Sequence, residues 1–294
     1  MMFSARSLFL AALLFAAGPL HAQTFQDWMS PEVADAWDDG YTGQGVSITI
    51  IDDFNSKDRF IGDLGLGNQY QTHGQWTFQQ AGMIAPDAKM FSKDYNSRGA
   101  VRLQRKGLNV LNLSYGIYAP ASRDPDDIRW GLQERSIISY AELGKAVVVK
   151  AAGNDAVAVG ASVGGSVDAL NVALIGADSV LFVGALDSNG TTADPASLAS
   201  YSNYAGSNTD VQEHFLVVGV DGDMTGLYGT SFAAPIVTGY SAILGSKFKT
   251  ATPVDITNRL LDTARTDTIS GYDVAIHGQG EASLTRALAP NSIN

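Results

Sequence analysis

Gly229-Thr230-Ser231-Phe232-Ala233-Ala234-Pro235 places a hydroxyl just ahead of a run of small and apolar residues, Ala233 to Leu244. The run is too long for an ordinary strand and predicts a buried helix with Ser231 at its start. Pro235 suits the first turn of such a helix, where its missing N–H costs nothing. A serine there sits at the positive end of the helix dipole, close to unpaired backbone N–H groups. Ser231 or Thr230 could equally act as a helix cap, the commoner role for such a residue. To be a nucleophile, Ser231 needs a base, a carboxylate that orients the base, and a donor for an oxyanion.

Three residues could meet those needs. His73 begins a helix between two strand ends, and an imidazole ordinarily titrates near ~6.5, which allows proton exchange at neutral pH. Asp52 can accept from the imidazole N–H and stabilise the imidazolium. Asn154 can offer its amide N–H₂ to the oxyanion of a tetrahedral intermediate. Taken singly, each has a plainer reading as a turn aspartate, a structural histidine or a Gly-Asn turn. Their joint placement at element ends is what points to acyl transfer.

The elements that must carry them are legible as patterns. Val46 to Asp52 is a β-branched run ending on a carboxylate, a buried strand with Asp52 at its carboxyl end. Leu108 to Ser114 and Ala146 to Ala152 are further apolar strands, ending at Ser114 and just before Asn154. Val180 to Ala185 and Phe215 to Val220 complete the set. Helices are expected near Val33 to Trp37, from His73 through Ala81, and from Ile128 to Leu143. Another, from Thr252 to about Ala264, opens with Thr252 as N-cap and Pro253 as the first helical residue. Phe54 to Gln71 and Val220 to Tyr228 read as loops, Asp187 to Asp210 as a polar connection, and Val157 to Ala177 has no clear pattern. Continuous apolar strands alternating with helices predict an α/β fold with a parallel sheet covered on both faces. In such sheets ligands gather beyond the carboxyl ends of the strands, where Asp52, Ser114 and Asn154 fall.

Composition bounds the partners. Lys and Arg total 19 against 30 Asp and Glu, a net charge of −11, which argues against nucleic acid or an anionic membrane surface. With no cysteine there are neither disulfides nor a thiolate nucleophile. Of four histidines, His21 lies in the leader, and His73, His214 and His277 are too few for a multi-histidine metal site, so no metal is assigned. Arg6, the apolar run Leu8 to Ala17, Pro19 and Ala22 form a signal peptide, residues 1–22, with cleavage expected between Ala22 and Gln23. The run is too short to span a bilayer comfortably, so no membrane span is expected after its removal. Residues 23–294 then form one exported domain, secreted or periplasmic, within single-domain size.

These motifs resemble the subtilisin-like serine peptidases, the subtilases, over nearly all of the mature chain. Gly229 to Pro235 is similar to that family's nucleophile motif, Ile50-Ile51-Asp52 to its aspartate strand, and His73-Gly74 to the start of its histidine motif. Ile84 to Ala88 resembles the turn that follows. Asn109 to Gly116 resembles the strand that pairs with substrate backbone, and Val147 to Asn154 the strand ending in the oxyanion asparagine. The chain order Asp, His, Ser is also the order found in subtilisin. The resemblance implies a three-layer αβα domain hydrolysing peptide bonds of a polypeptide substrate through an acyl-enzyme. Ser231 would attack, His73 would serve as base and then acid, Asp52 would orient it, and Asn154 with the Ser231 N–H would hold the oxyanion. Ser114, Tyr115 and Gly116 with Ala151, Ala152 and Gly153 would flank the residue before the scissile bond.

Four departures accompany the likeness. Asp53-Phe54 stands where the family has Ser or Thr and then Gly, and a second carboxylate would raise the pKa of the first if both shared a face. Gln75, Phe78 and Gln79 alter the histidine helix. The spans around His73 are short, so no calcium loop follows that helix; a structural calcium is compatible with the family but has no assignable ligands, and no other cofactor is expected. Asp221-Gly222-Asp223 has the composition of a cation loop, but a solvated turn is the plainer reading. Lys150 interrupts an apolar strand and must either reach solvent or meet a carboxylate. Because the likeness begins near Gln23, leaving no room for the usual prosegment, the domain is expected either to fold without one or to be assisted by a separate folding helper or inhibitor. The altered helix also leaves a rival reading: a degenerate relative acting as a peptide-binding or chaperone-like protein.

Overall fold

The computed structural model describes residues 24–293, so the expected signal peptide and its cleavage site lie outside the described residues. In chain order come α1 (Pro31–Asp38), β1 (Ser47–Asp52), β2 (Phe60–Gly62), β3 (Gln69–Gln71), α2 (His73–Ile84), β4 (Lys89–Asp94) and β5 (Asn109–Leu113). Then follow β6 (Tyr118–Pro120), α3 (Leu132–Glu142), β7 (Val147–Ala151), β8 (Ser166–Asp168), α4 (Ala169–Leu174) and β9 (Val180–Leu186). The last are α5 (Thr209–Glu213), β10 (Phe215–Gly219), α6 (Gly222–Thr225), α7 (Thr230–Lys247), α8 (Pro253–Asp262), α9 (Val274–His277) and α10 (Leu284–Leu288).

Six strands form one parallel sheet in the order β10-β9-β7-β5-β1-β4. Successive side chains of a strand face opposite ways, and both faces are apolar. Ile48 and Ile50 of β1 and Val147 and Val149 of β7 pack with α1, α2, α7, α8 and α10. Ile51, Leu111, Val148 and Phe182 pack with α3, α4 and α5 on the other face. The result is the three-layer αβα arrangement. After β4 the chain crosses β1 to lay down β5 on its far side, which makes the carboxyl end of β1 the switch point of the sheet. Ile51 pairs with Leu113 and Leu113 with Lys150, so the ends of β1, β5 and β7 are level.

Helix α7 runs almost wholly buried between the sheet and α2. Gly239 makes the close approach possible: a Cβ there would lie 2.5 Å from Ile84 Cγ2 of α2. The two helices that carry Ser231 and His73 are thus held by direct packing. The N-cap of α8 forms as expected, with Thr252 and Asp255 exchanging side-chain and backbone bonds.

Three local expectations are corrected. The loop assigned to Phe54–Gln71 contains the antiparallel hairpin of β2 and β3, whose three-residue strands are too short to show a period of two. The unparsed segment Val157–Ala177 yields β8 and α4, and β8 pairs with β6 rather than with the main sheet. Within Val220–Tyr228, Asp221 caps α6 by accepting the Met224 N–H at 2.9 Å, and Asp223 accepts from the Tyr228 hydroxyl at 2.7 Å.

Candidate active site

Asp52 ends β1 and is 1% exposed. Its Oδ1 meets His73 Nδ1 at 2.6 Å and accepts the Asp53 N–H at 2.6 Å; its Oδ2 accepts from the Thr77 hydroxyl at 2.8 Å. The neighbouring Asp53 does not share that space, because its own Oδ1 accepts the Ser56 N–H at 2.9 Å. A buried carboxylate with all these donors is held in one orientation, and it fixes which imidazole nitrogen faces it.

His73 is the first residue of α2, and the altered residues of that helix have local reasons. Thr72 caps the helix, and the Gln75 side chain accepts the Thr72 N–H at 2.9 Å, completing a capping box. Phe78 meets Phe54 edge to face at 6.5 Å, and Gln79 accepts from Gln71 at 2.7 Å. The two aromatic departures therefore compensate each other. Gly74 donates its N–H to the Asp53 carbonyl at 2.9 Å, and a Cβ on it would lie 2.8 Å from that oxygen. Only a glycine lets the helix start dock so closely onto the end of β1.

The imidazole lies beside two aromatic rings, Phe232 at 5.5 Å and Phe60 at 6.2 Å between centroids. Phe232 follows Ser231 directly, so the histidine faces the first turn of α7. Phe60 comes from the hairpin that sequence patterning misses. Thr77 is missed as well, although its position four residues after His73 puts both on one helix face.

Neither Ser231 nor Thr230 caps α7. The N-cap is Gly229, at φ 121°, and it makes no side-chain bond. The capping oxygen comes from another segment: Asn154 Oδ1 accepts the Thr230 N–H at 2.8 Å and the Thr230 hydroxyl at 3.0 Å. Those donors fix the amide orientation, and among the described residues none accepts from Asn154 Nδ2. Thr230 Oγ1 also accepts the Gly153 N–H at 3.0 Å.

Pro235 falls in the second turn of α7 rather than its first. It has no N–H to give the carbonyl four residues back, which is that of Ser231. That carbonyl instead accepts from the Ser114 hydroxyl at 2.9 Å. Behind it, Asn112 Nδ2 donates to Ser114 Oγ at 2.9 Å and Thr238 donates to Asn112 Oδ1 at 3.1 Å. This buried chain ties β5 to α7, and no local pattern of residues announces it. The Ser231 hydroxyl donates to the Ser114 carbonyl at 3.3 Å. Among the described residues, no hydrogen bond joins it to His73.

The six flanking residues divide. Ser114 touches Ser231, and Gly116 packs against Asp168. Tyr115 lies against Tyr95 with the rings tilted at 46° and 5.7 Å between centroids, and burial, then Glu134, push its pKa up. Ala151 and Ala152 are buried, with the Ala152 carbonyl taken by Asn171 and Asn203 at 3.0 Å each. Gly153, at φ 115°, carries the backbone around to Asn154.

A sequence profile of the subtilase family matches residues 62–282, three quarters of the chain, including His73, Asn154 and Ser231. The chain belongs to the subtilase family. Mycosin-4 of Mycobacterium tuberculosis (strain ATCC 25618 / H37Rv) is 27% identical over 280 residues, covering 88% of this subtilase and 54% of the relative. Subtilisin DY of Bacillus licheniformis is 28% identical over 260 residues, covering 76% of this chain and 85% of that one. The crystal structure of MycP1 from Mycobacterium smegmatis superposes with a TM-score of 0.56 at 22% identity, covering 88% of this subtilase and 82% of that chain. That likeness establishes the shared fold. The chain spans about half the length of mycosin-4.

Proposed function

We propose that this subtilase is an exported serine endopeptidase that cleaves polypeptides through an acyl-enzyme. The observation that carries the reading is the 2.6 Å bond between buried Asp52 and His73, made where the imidazole faces the helix start bearing Ser231. Family membership supports the same activity.

In this mechanism the Ser231 hydroxyl turns about Cα–Cβ from the Ser114 carbonyl toward His73. Its present bond of 3.3 Å is long for an O–H donor, so little is lost in leaving it. Catalytic hydrogen bonds commonly tighten only when substrate binds. Ser231 Oγ attacks the scissile carbonyl carbon while its proton passes to His73 Nε2. Asp52 holds the Nδ1 proton and stabilises the imidazolium. The oxyanion accepts from Asn154 Nδ2 and the Ser231 N–H. His73 then protonates the leaving amine, and water repeats the sequence on the ester. In a subtilisin, removing an oxyanion amide of this kind costs roughly 10²–10³ in turnover, and a loss of that order is expected for Asn154→Ala.

The rival reading, a degenerate peptide-binding relative, rests on the altered histidine helix. The capping box, the Phe54–Phe78 contact and the Asp52 bond count against it. The test is digestion of an unfolded protein by the purified chain and by Ser231→Ala. Cleavage by the wild type alone is expected; no cleavage by a well-folded wild type, or equal cleavage by both, would sink the proposal.

A further inference from the structure

Lys150, the charge within an apolar strand, does not reach solvent. It is 1% exposed, and its Nζ donates to Asp168 Oδ2 at 3.1 Å and to the Ala151 carbonyl at 2.8 Å. A buried ion pair adds little stability over an apolar pair of equal volume, so stability alone gives no reason for it. Its place does. Asp168 sits against the segment that follows Ser114: its Oδ1 accepts the Ile117 N–H at 3.0 Å, and a Cβ at Gly116 would lie 2.9 Å from its Oδ2. Asp168 also lines a recess with Ala152, Gly153, Asp155 and Asn171, next in chain to Asn154. The recess holds about 20 Å³ of water-sized room, enough for about one small group. Asn171 is 1% exposed, and its Oδ1 is buried without a partner.

We propose that the Lys150–Asp168 pair closes the floor of the recess beside the scissile bond, restricting the residue whose carbonyl Ser231 attacks to small side chains, alanine and serine. The proposal rests on the peptidase reading above. Two effects act together. An aromatic ring would have to displace Asp168, which is anchored by Lys150, by the Ile117 N–H and by the Leu170 N–H at 3.1 Å. A lysine or arginine side chain finds the floor carboxylate already neutralised from within, and the other carboxylate of the recess, Asp155, is exposed, where water screens it.

The test is kcat/KM on peptides that differ only at that residue, carrying Ala, Ser, Phe or Lys. The wild type is expected to favour Ala and Ser over Phe and Lys by roughly 10²-fold, the scale at which a pocket rejects excess bulk. Lys150→Met, which frees the Asp168 carboxylate and removes one of its three anchors, is expected to raise the Lys peptide relative to Ala by about tenfold, with a smaller rise for the Phe peptide. Phe or Lys peptides cleaved by the wild type within about threefold of Ala would overturn the proposal, whether or not the variant folds. Failure to cleave any of the peptides, with no Ser231-dependent digestion of unfolded protein, would overturn the peptidase reading itself and this proposal with it.

Discussion

The Asp52 carboxylate shows how much of this site depends on single hydrogen bonds. One oxygen serves His73 and the Asp53 N–H, and the other is held by Thr77. Asp52→Asn keeps the size but presents the imidazole with a donor and the wrong tautomer; a fall in kcat of about 10⁴ is expected. Thr77→Val keeps the shape and strands a buried acceptor, which costs about 1–3 kcal/mol of stability. Its denaturant midpoint should fall accordingly, with a smaller loss of activity than Asp52→Asn; an unchanged midpoint would show that Oδ2 does not depend on Thr77. At this scale the reactive residues were legible because their types are chemically distinctive. Their supporters were not, since Thr77, Asn112 and Asp168 act through contacts made across the fold. The i+4 relation of Thr77 to His73 was the one local signal available.

At the scale of elements, the question is how α2 and α7 keep their relation. Two glycines set it, Gly74 against the Asp53 carbonyl and Gly239 against Ile84. Gly74→Ala must lift the start of α2 from β1, and a displacement near ~1 Å is enough to lower kcat/KM by about 10²-fold. Circular dichroism should stay that of the folded protein, and full activity would refute the role given to that contact. Gly239→Ala overpacks the helix interface and should cost about 1–3 kcal/mol, read from the shift in denaturant midpoint. The strands that end at the site were legible because each is a continuous apolar run buried on both faces. β2 and β3 were not, being three-residue strands outside the main sheet. Phe60, which lies against the imidazole, was hidden with them.

Over the whole molecule, the end of the chain is tied to its beginning by ions. Arg265 pairs with Glu32 of α1 at 3.0 Å and with Glu281 at 3.1 Å, and Ser283 donates to Glu32 at 3.0 Å. Burial raises the pKa of Glu281, only partly opposed by its bonds from Thr268 and Arg265. A raised carboxyl pKa means the folded state favours the protonated form. The associated stability is complete below the ordinary glutamate value and declines as pH rises through the raised one. The stability of the wild type relative to Glu281→Gln should therefore fall with rising pH across that range, measured by denaturant midpoints; a constant difference would contradict it. The three-layer architecture itself was legible from the alternation of apolar strands and helices, but this closure between distant segments carries no local pattern.

The central claim, that Ser231 is a nucleophile activated by His73, is tested most directly by mapping the site of reaction. The wild type, Ser231→Ala and His73→Ala would each be treated with a fluorophosphonate at neutral pH and examined by peptide mass mapping. A single adduct on Ser231 of the wild type is predicted, with none on Ser231→Ala and much slower labelling of His73→Ala. Folded wild type that stays unlabelled, or His73→Ala that labels as fast as wild type, would contradict the account.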